Sequence, residues 1–147
     1  MRIKKVTQTT PVQAEVVDSL DGNSTTNAPS VRAVNDGLLD KYSTDEQRIG
    51  TWIDGKPIYR KVIDTGSLPN TDIKTINHNI SNIDNIISIH GWAYRSSDNV
   101  FLPLPHVANN TAISCYSTKN RIEITTYADR SSFTVSYIIL EYTKTTD

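Results

Sequence analysis

The sequence predicts a mainly β protein whose C-terminal part is an antiparallel β-sandwich or jelly roll. Residues that favour strands (Ile, Val, Thr and Tyr) are abundant, whereas Ala and Leu are scarce. From residue 49 to residue 143, strand-like runs alternate with clusters of turn residues, and no helical period interrupts them. The last run, residues 133–142, is apolar on both faces in its middle, which is typical of a central strand or of one between subunits.

The distribution of apolar residues divides the chain of 147 residues into three segments. We expect an extended segment over residues 1–22, a linker and short helix over residues 23–45, and the β domain over residues 46–147. A formal net charge of −1 gives no electrostatic footprint for nucleic acid. No run approaches the roughly 18 apolar residues of a transmembrane helix, so the predicted partners include neither nucleic acid nor a membrane.

The short helix is predicted from one apolar stripe. Val31, Val34 and Leu38 are spaced i, i+3 and i+7, Asn27 can cap the helix, and Pro29 is tolerated in its first turn. A helix of about 12 residues is marginal alone in water, so its stripe must be buried. The spacing alone leaves open whether the stripe packs on its own chain or on copies of itself.

The β domain is predicted to begin with a hairpin over residues 49–64. Asp54-Gly55 is the strongest short hairpin signal in the chain. Further strands are expected at residues 72–81, 84–95, 100–104, 111–117, 121–127 and 133–142.

The strand at residues 84–95 is predicted to have two different faces. Alternation places Ile87, Ile89, Gly91 and Ala93 on one face and Ser88, His90, Trp92 and Tyr94 on the other. Trp92, Tyr94 and His90 are therefore candidate ligand contacts, because aromatic rings can stack on sugars. The competing interpretation is that the tryptophans fill the core or a subunit interface.

Residue patterns typical of catalysis or of metal binding are missing from the sequence. His78, His90 and His106 are 12 and 16 residues apart, with no short ligand spacing, although a single His on a three-fold axis would still supply three ligands. Cys115 has no basic neighbour and is predicted to be a buried structural thiol. We therefore expect a non-enzymatic protein with no catalytic residues, no metal and no cofactor.

Two adjoining stretches resemble bacteriophage structural proteins. Residues 16–43, VVDSLDGNSTTNAPSVRAVNDGLLDKYS, resemble the linker-and-helix segment of many phage fibre and appendage proteins. Residues 42–63, YSTDEQRIGTWIDGKPIYRKVI, resemble a segment that opens small C-terminal domains in phage structural proteins. Together they cover 48 contiguous residues, about a third of the chain.

This resemblance implies a homotrimeric virion fibre of the head or tail, assembled in the cytoplasm of a bacterial host. The N-terminal segment would attach to a capsid, baseplate or tail protein, and Val31, Val34 and Leu38 would pack into a three-helix neck. The β head would then contact the host surface or a glycan. The alternative function is a stand-alone carbohydrate-binding module without a role in the virion, which would be a monomer.

Overall fold

The computed structural model describes Val16–Val17, Ala28–Pro29 and residues 41–146. The chain divides into two compact units, Met1–Asp40 and Lys41–Asp147. In the first unit, strand β1 (Val16–Val17) pairs in parallel with strand β2 (Ala28–Pro29).

The predicted helix with Val31, Val34 and Leu38 lies outside the described residues, as does most of the predicted extended segment. Pro29 was expected in the first turn of this helix, but it lies in β2. The fixed φ of proline near −65° is compatible with extended backbone as well as with a helix start, so the residue alone does not decide between them.

The second unit consists of two antiparallel sheets, and the prediction of a mainly β fold is confirmed. Its strands are β3 (Gln47–Thr51), β4 (Pro57–Asp64), β5 (Ile73–Asn77), β6 (Ile83–Arg95), β7 (Val100–Leu104), β8 (Ile113–Ser117), β9 (Arg121–Thr126) and β10 (Val135–Lys144). One sheet has the order β3-β4-β10-β6-β7, and the other has the order β5-β9-β8. No helix occurs among residues 41–146.

Pairing between distant parts of the chain organises this unit. Strand β10 lies between β4 and β6 in the five-stranded sheet, and β9 lies between β5 and β8 in the three-stranded sheet. The two-sided apolar character of the last run therefore correctly predicted a central strand. Strand β4 pairs with β10, and β5 pairs with β9. Early strands of this unit therefore pair with late ones, and in sequence the β5–β9 pair lies within the β4–β10 pair.

The first hairpin is confirmed at its turn but is displaced at its first strand. Gly55 has a φ of +88°, which suits glycine, and its N–H donates to the Trp52 carbonyl at 2.9 Å. Strand β3 ends at Thr51, so Trp52 and Ile53 belong to the turn rather than to the predicted strand. A sequence pattern fixes the turn because its requirement for positive φ is local, whereas strand ends depend on pairing.

Side chains from both sheets share one core. The buried apolar residues of the five-stranded sheet are Ile63, Ile83, Ala93, Leu104, Ile138, Leu140 and Tyr142, and those of the three-stranded sheet are Ile113, Cys115, Ile122 and Ile124. Trp52 and Trp92 are only half-buried and do not belong to this core. The hypothesis that the tryptophans fill the core is therefore wrong for both.

A β-bulge in β6 corrects the predicted faces of that strand. Ser88 pairs with Glu141, but the next paired residue of β6 is Ile86, opposite Tyr142. The extra residue shifts the alternation, so Ile86, and not Ile87, packs against the core together with Ile89. The alternation from Ser88 to Tyr94 is unaffected, because it lies on the other side of the bulge.

Candidate functional site

The outer face of the five-stranded sheet is the side turned away from the shared core. It is defined by strand alternation, because Ala93, Ile138 and Leu140 point inward and their neighbours point outward. Cross-strand pairing then places Tyr137 beside Trp92, and Ile139 beside both His90 and Val62. The outer face carries Val62, His90, Trp92, Tyr94, Phe101, Tyr137 and Ile139, together with the charged residues Arg60, Asp64 and Glu141.

An open groove of about 300 Å³ lies on this outer face, at the lower end of the range for small-molecule sites. It is lined by Tyr42, Ser43, Thr44, Val62, Trp92, Tyr137 and Ile139. The segment before β3 forms one wall, and the Val62 N–H donates to the Ser43 carbonyl at 2.8 Å, which fixes that wall against β4. The seven lining residues are all uncharged, so the groove favours an apolar or aromatic group.

Aromatic rings continue from the groove across the sheet to the edge strand β7. The Trp92 ring centroid lies 5.2 Å from that of Tyr137 and 5.5 Å from that of Phe101. Tyr94 lies 4.7 Å from Phe101. These separations are typical of favourable aromatic pairs, so the rings hold one another in place. Phe101 nevertheless keeps 64% of its surface exposed and projects at the edge of this cluster.

The structure brings the three sequence-predicted contact residues to one face, but only Trp92 lines the groove. The Tyr94 hydroxyl donates to Asn99 Oδ1 at 2.7 Å, which occupies it in the β6–β7 turn. His90 is exposed, and its Nδ1 lies 3.1 Å from Ser88 Oγ. Their placement on one face follows the prediction, and their role as ligand contacts stays a prediction.

Sequence reasoning missed most of the groove lining. Tyr42, which by spacing continues the stripe of the predicted helix one turn beyond Leu38, lies in the irregular segment that forms the groove wall. Val62, Tyr137 and Ile139 come from strands whose pairing joins residues more than 70 positions apart. Alternation within the last strand could have placed Tyr137 and Ile139 on one face, but it could not place them beside Trp92.

A buried ion pair lies beside the groove. Glu141 Oε1 accepts from Arg60 Nε at 2.9 Å and from Nη2 at 2.7 Å, and the Arg60 side chain is buried. The ring of Tyr42 covers the guanidinium at 4.4 Å in a cation–π contact. The charges of Arg60 and Glu141 thus neutralise each other under the groove wall. The cation–π contact with Arg60 also holds Tyr42 in place.

Glu46 anchors the other end of the wall segment to β10. The Tyr142 hydroxyl donates to Glu46 Oε2 at 2.6 Å, and Lys144 Nζ lies 2.5 Å from Glu46 Oε1. Burial and the neighbouring carboxylate raise the pKa of Tyr142, so its proton remains available for this hydrogen bond. The groove wall is therefore fixed at both ends by polar contacts with the central strands.

The remaining side chains that could carry chemistry lie where they support the fold rather than in a reactive site. Cys115 is buried, as predicted, and burial raises the pKa of its thiol to about 12. Within the described part of the chain, no group of three His, Cys, Asp or Glu residues could hold a metal ion. The same residues include no helix that is long and apolar enough to cross a membrane.

His78 is buried and neutral at pH 7. The Ile80 N–H donates to its Nδ1 at 3.1 Å, so the ring proton is on Nε2, which donates to the Thr118 carbonyl at 3.2 Å. Burial is the largest cause of the lowered pKa of His78, and the nearby charge of Lys61 acts in the same direction. Protonation of Nδ1 would remove the acceptor of the Ile80 N–H.

We expect this histidine to make the fold sensitive to acid. The unfolded chain binds a proton at His78 as the pH falls through its ordinary pKa of 6.5, whereas the folded chain binds it only at lower pH. The stability that depends on neutral His78 is thus fully present above pH 6.5 and is lost as the pH falls below that value. In urea titrations at several pH values from about 7 to about 5, His78→Gln should weaken this dependence, whereas exposed His90→Gln should retain it. Equal slopes in the two variants would contradict this assignment.

No protein-family model matches the chain, and no curated protein matches it. A function is therefore inferred from the geometry of the described residues.

Proposed function

We propose that this protein is a non-enzymatic fibre or appendage protein of a bacteriophage virion. It forms a homotrimer through Val31, Val34 and Leu38, and its N-terminal segment attaches to a capsid, baseplate or tail protein. The β unit is the outward head, which contacts the host surface or a glycan.

The observation that supports this proposal most is the exposed aromatic surface of the β unit. On the outer face, the Trp92 ring contacts those of Tyr137 and Phe101, and Phe101 is 64% exposed; contiguous exposed apolar groups of this kind often mark contacts with other molecules. The division of the chain at residues 40 and 41 is compatible with an attachment part and a head.

We further propose that the head is a jelly roll. In a jelly roll, early and late strands pair as a long ribbon that folds over on itself into two sheets. The β4–β10 pair followed by the β5–β9 pair is compatible with that arrangement. Three such heads on one neck would raise avidity for a repetitive surface, because the second and third contacts become intramolecular.

A second candidate function, that of a carbohydrate-binding module, would use the same groove. Half-exposed Trp92 provides a stacking surface, and Ser43 and Thr44 provide hydroxyl groups at the wall. This alternative requires a monomer and saturable quenching of tryptophan fluorescence by a sugar. The virion protein requires a trimer and presence on purified particles.

Deletion of residues 2–20 tests the virion role. We expect the shortened chain to retain its β-type circular dichroism, because these residues precede the compact unit Lys41–Asp147. It should nevertheless be lost from purified phage particles, as measured by immunoblotting against the full-length chain. Full incorporation of the shortened chain would show that attachment lies elsewhere.

A further inference from the structure

We propose that the outer face of the head is an interface with a second copy of this chain. In this contact, Phe101 of one copy enters the groove of the next. The contact repeats around three copies and closes a ring. This inference rests on the homotrimer proposed above, to which it adds a second contact within the heads.

The chemistry of the outer face favours a protein interface over a sugar site. Interface cores are enriched in aromatic residues and depleted of charged ones. All seven residues that line the groove are uncharged, and the nearby Arg60 is paired with Glu141. A sugar site instead combines aromatic rings with several converging polar side chains. The lining of this groove is mostly apolar, with Ser43 and Thr44 confined to one wall.

The point at which the chain enters the head indicates a second copy as the occupant. The head begins at Lys41, and Tyr42, the next residue, already lines the groove. In the proposed trimer, the 40 preceding residues bring three copies together. The covalent connection to those residues therefore lies beside the groove wall in every head, so a copy tethered through them can reach the groove.

The outer face carries both a projection and a complementary hollow. Phe101 is on the edge strand β7, whereas the groove lies over β4, β10 and β6. A strand spacing of about 4.8 Å places β10 about 10 Å from β7, so the two features occupy different parts of one face. A contact between different patches of identical subunits is heterologous, and it generates a ring when the rotation closes. Each copy would therefore donate Phe101 to one neighbour and accept it from the other.

Disulfide trapping in the full-length chain tests this contact. Val62→Cys in the groove and Phe101→Cys at the edge would be combined and oxidised, and the products would be resolved on a non-reducing gel. The native Cys115 is buried and stays reduced during brief oxidation. We expect covalent species up to the trimer and none larger, because the ring closes after three copies.

Two kinds of control make this result specific. Each single cysteine variant should give no ladder. Every proposed contact joins the groove position of one copy to the edge position of another, so a disulfide needs both cysteines. Val62→Cys combined with Tyr127→Cys is the matched double variant. Tyr127 is 60% exposed, close to the 64% of Phe101, but it follows β9 of the other sheet. This pair should remain uncrosslinked.

A second measurement does not require the disulfide to form. In a Trp52→Phe background, Trp92 is the only tryptophan, and its quenching by acrylamide reports the accessibility of the groove. Because Phe101 also packs on Trp92 within one head, Phe101→Asp should increase this quenching more in the trimer than in a Val34→Asp monomer, whereas Tyr127→Asp should leave it unchanged in both. Both positions are exposed, so neither change buries a charge in the isolated head.

The possible failures distinguish this inference from the proposed function. A native trimer without covalent species, or with dimers only, would overturn the ring and leave the trimeric fibre intact. Saturable quenching of Trp92 in the trimer by glucose, galactose or N-acetylglucosamine would show an open sugar site and would also overturn it. A native monomer would overturn the proposed trimer as well.

Discussion

Replacement of Gly91 by Ala is expected to lower the free energy of unfolding of the β unit by about 3 kcal/mol or more. A Cβ atom at this position would lie 2.0 Å from the Tyr137 carbonyl oxygen and 2.9 Å from Ile138 Cδ1. The first of these atoms belongs to the backbone of the central strand, so it cannot move away by a rotamer change. β6 and β10 would have to separate, and the pairing that builds the outer face would be disturbed.

The change in stability can be measured by urea denaturation followed by circular dichroism. Gly50→Ala is the matched control, because its added Cβ would meet only Ile58 Cδ1 at 4.0 Å, which is an ordinary contact. It should change the free energy of unfolding by less than about 1 kcal/mol. Equal stabilities of the Gly91→Ala variant and the unchanged chain would contradict the close approach of β6 and β10.

Replacement of Glu141 by Ala is expected to destabilise the fold by about 3 kcal/mol. The change removes the carboxylate that accepts two hydrogen bonds from the buried Arg60 guanidinium. Arg60 then loses two charge-assisted hydrogen bonds, whereas its cation–π contact with Tyr42 is retained. We place the effect at the lower end of the range for buried pairs because the Glu141 side chain is 20% exposed.

Two further variants separate the contribution of charge from other effects. Glu141→Gln retains the shape of the side chain and should recover only part of the lost stability, because a neutral amide accepts weaker hydrogen bonds than a carboxylate. Asp98→Ala breaks the more exposed pair with Arg95 and should change stability by less than about 1 kcal/mol. If Glu141→Ala and Asp98→Ala had equal effects in urea denaturation, the pair with Arg60 would not be a buried, stabilising contact.

The parts of the fold that depend on local chemistry could be predicted from the sequence. The turn at Asp54-Gly55 follows from a conformation that glycine adopts easily, and Gly55 indeed has a positive φ. The central position of β10 follows from its two apolar faces. The face shared by Trp92 and Tyr94 follows from alternation within one strand.

The remaining features could not be predicted because they arise from pairing between distant residues. The bulge that places Ile86, and not Ile87, against the core is visible only in the register of β6 against β10. The groove needs Tyr137 beside Trp92 and Ile139 beside Val62. No local signal in one strand encodes which residue of another strand will lie opposite.

The native mass of the purified chain, measured by light scattering after size exclusion, tests the trimeric fibre most directly. We predict about 49 kDa, three times the 16.4 kDa of one chain. Val34→Asp should reduce the mass to 16.4 kDa and retain the β-type circular dichroism, whereas Asn35→Asp, off the stripe, should leave a trimer. A mass of 16.4 kDa for the unchanged chain would contradict the trimer and leave the carbohydrate-binding module as the better account.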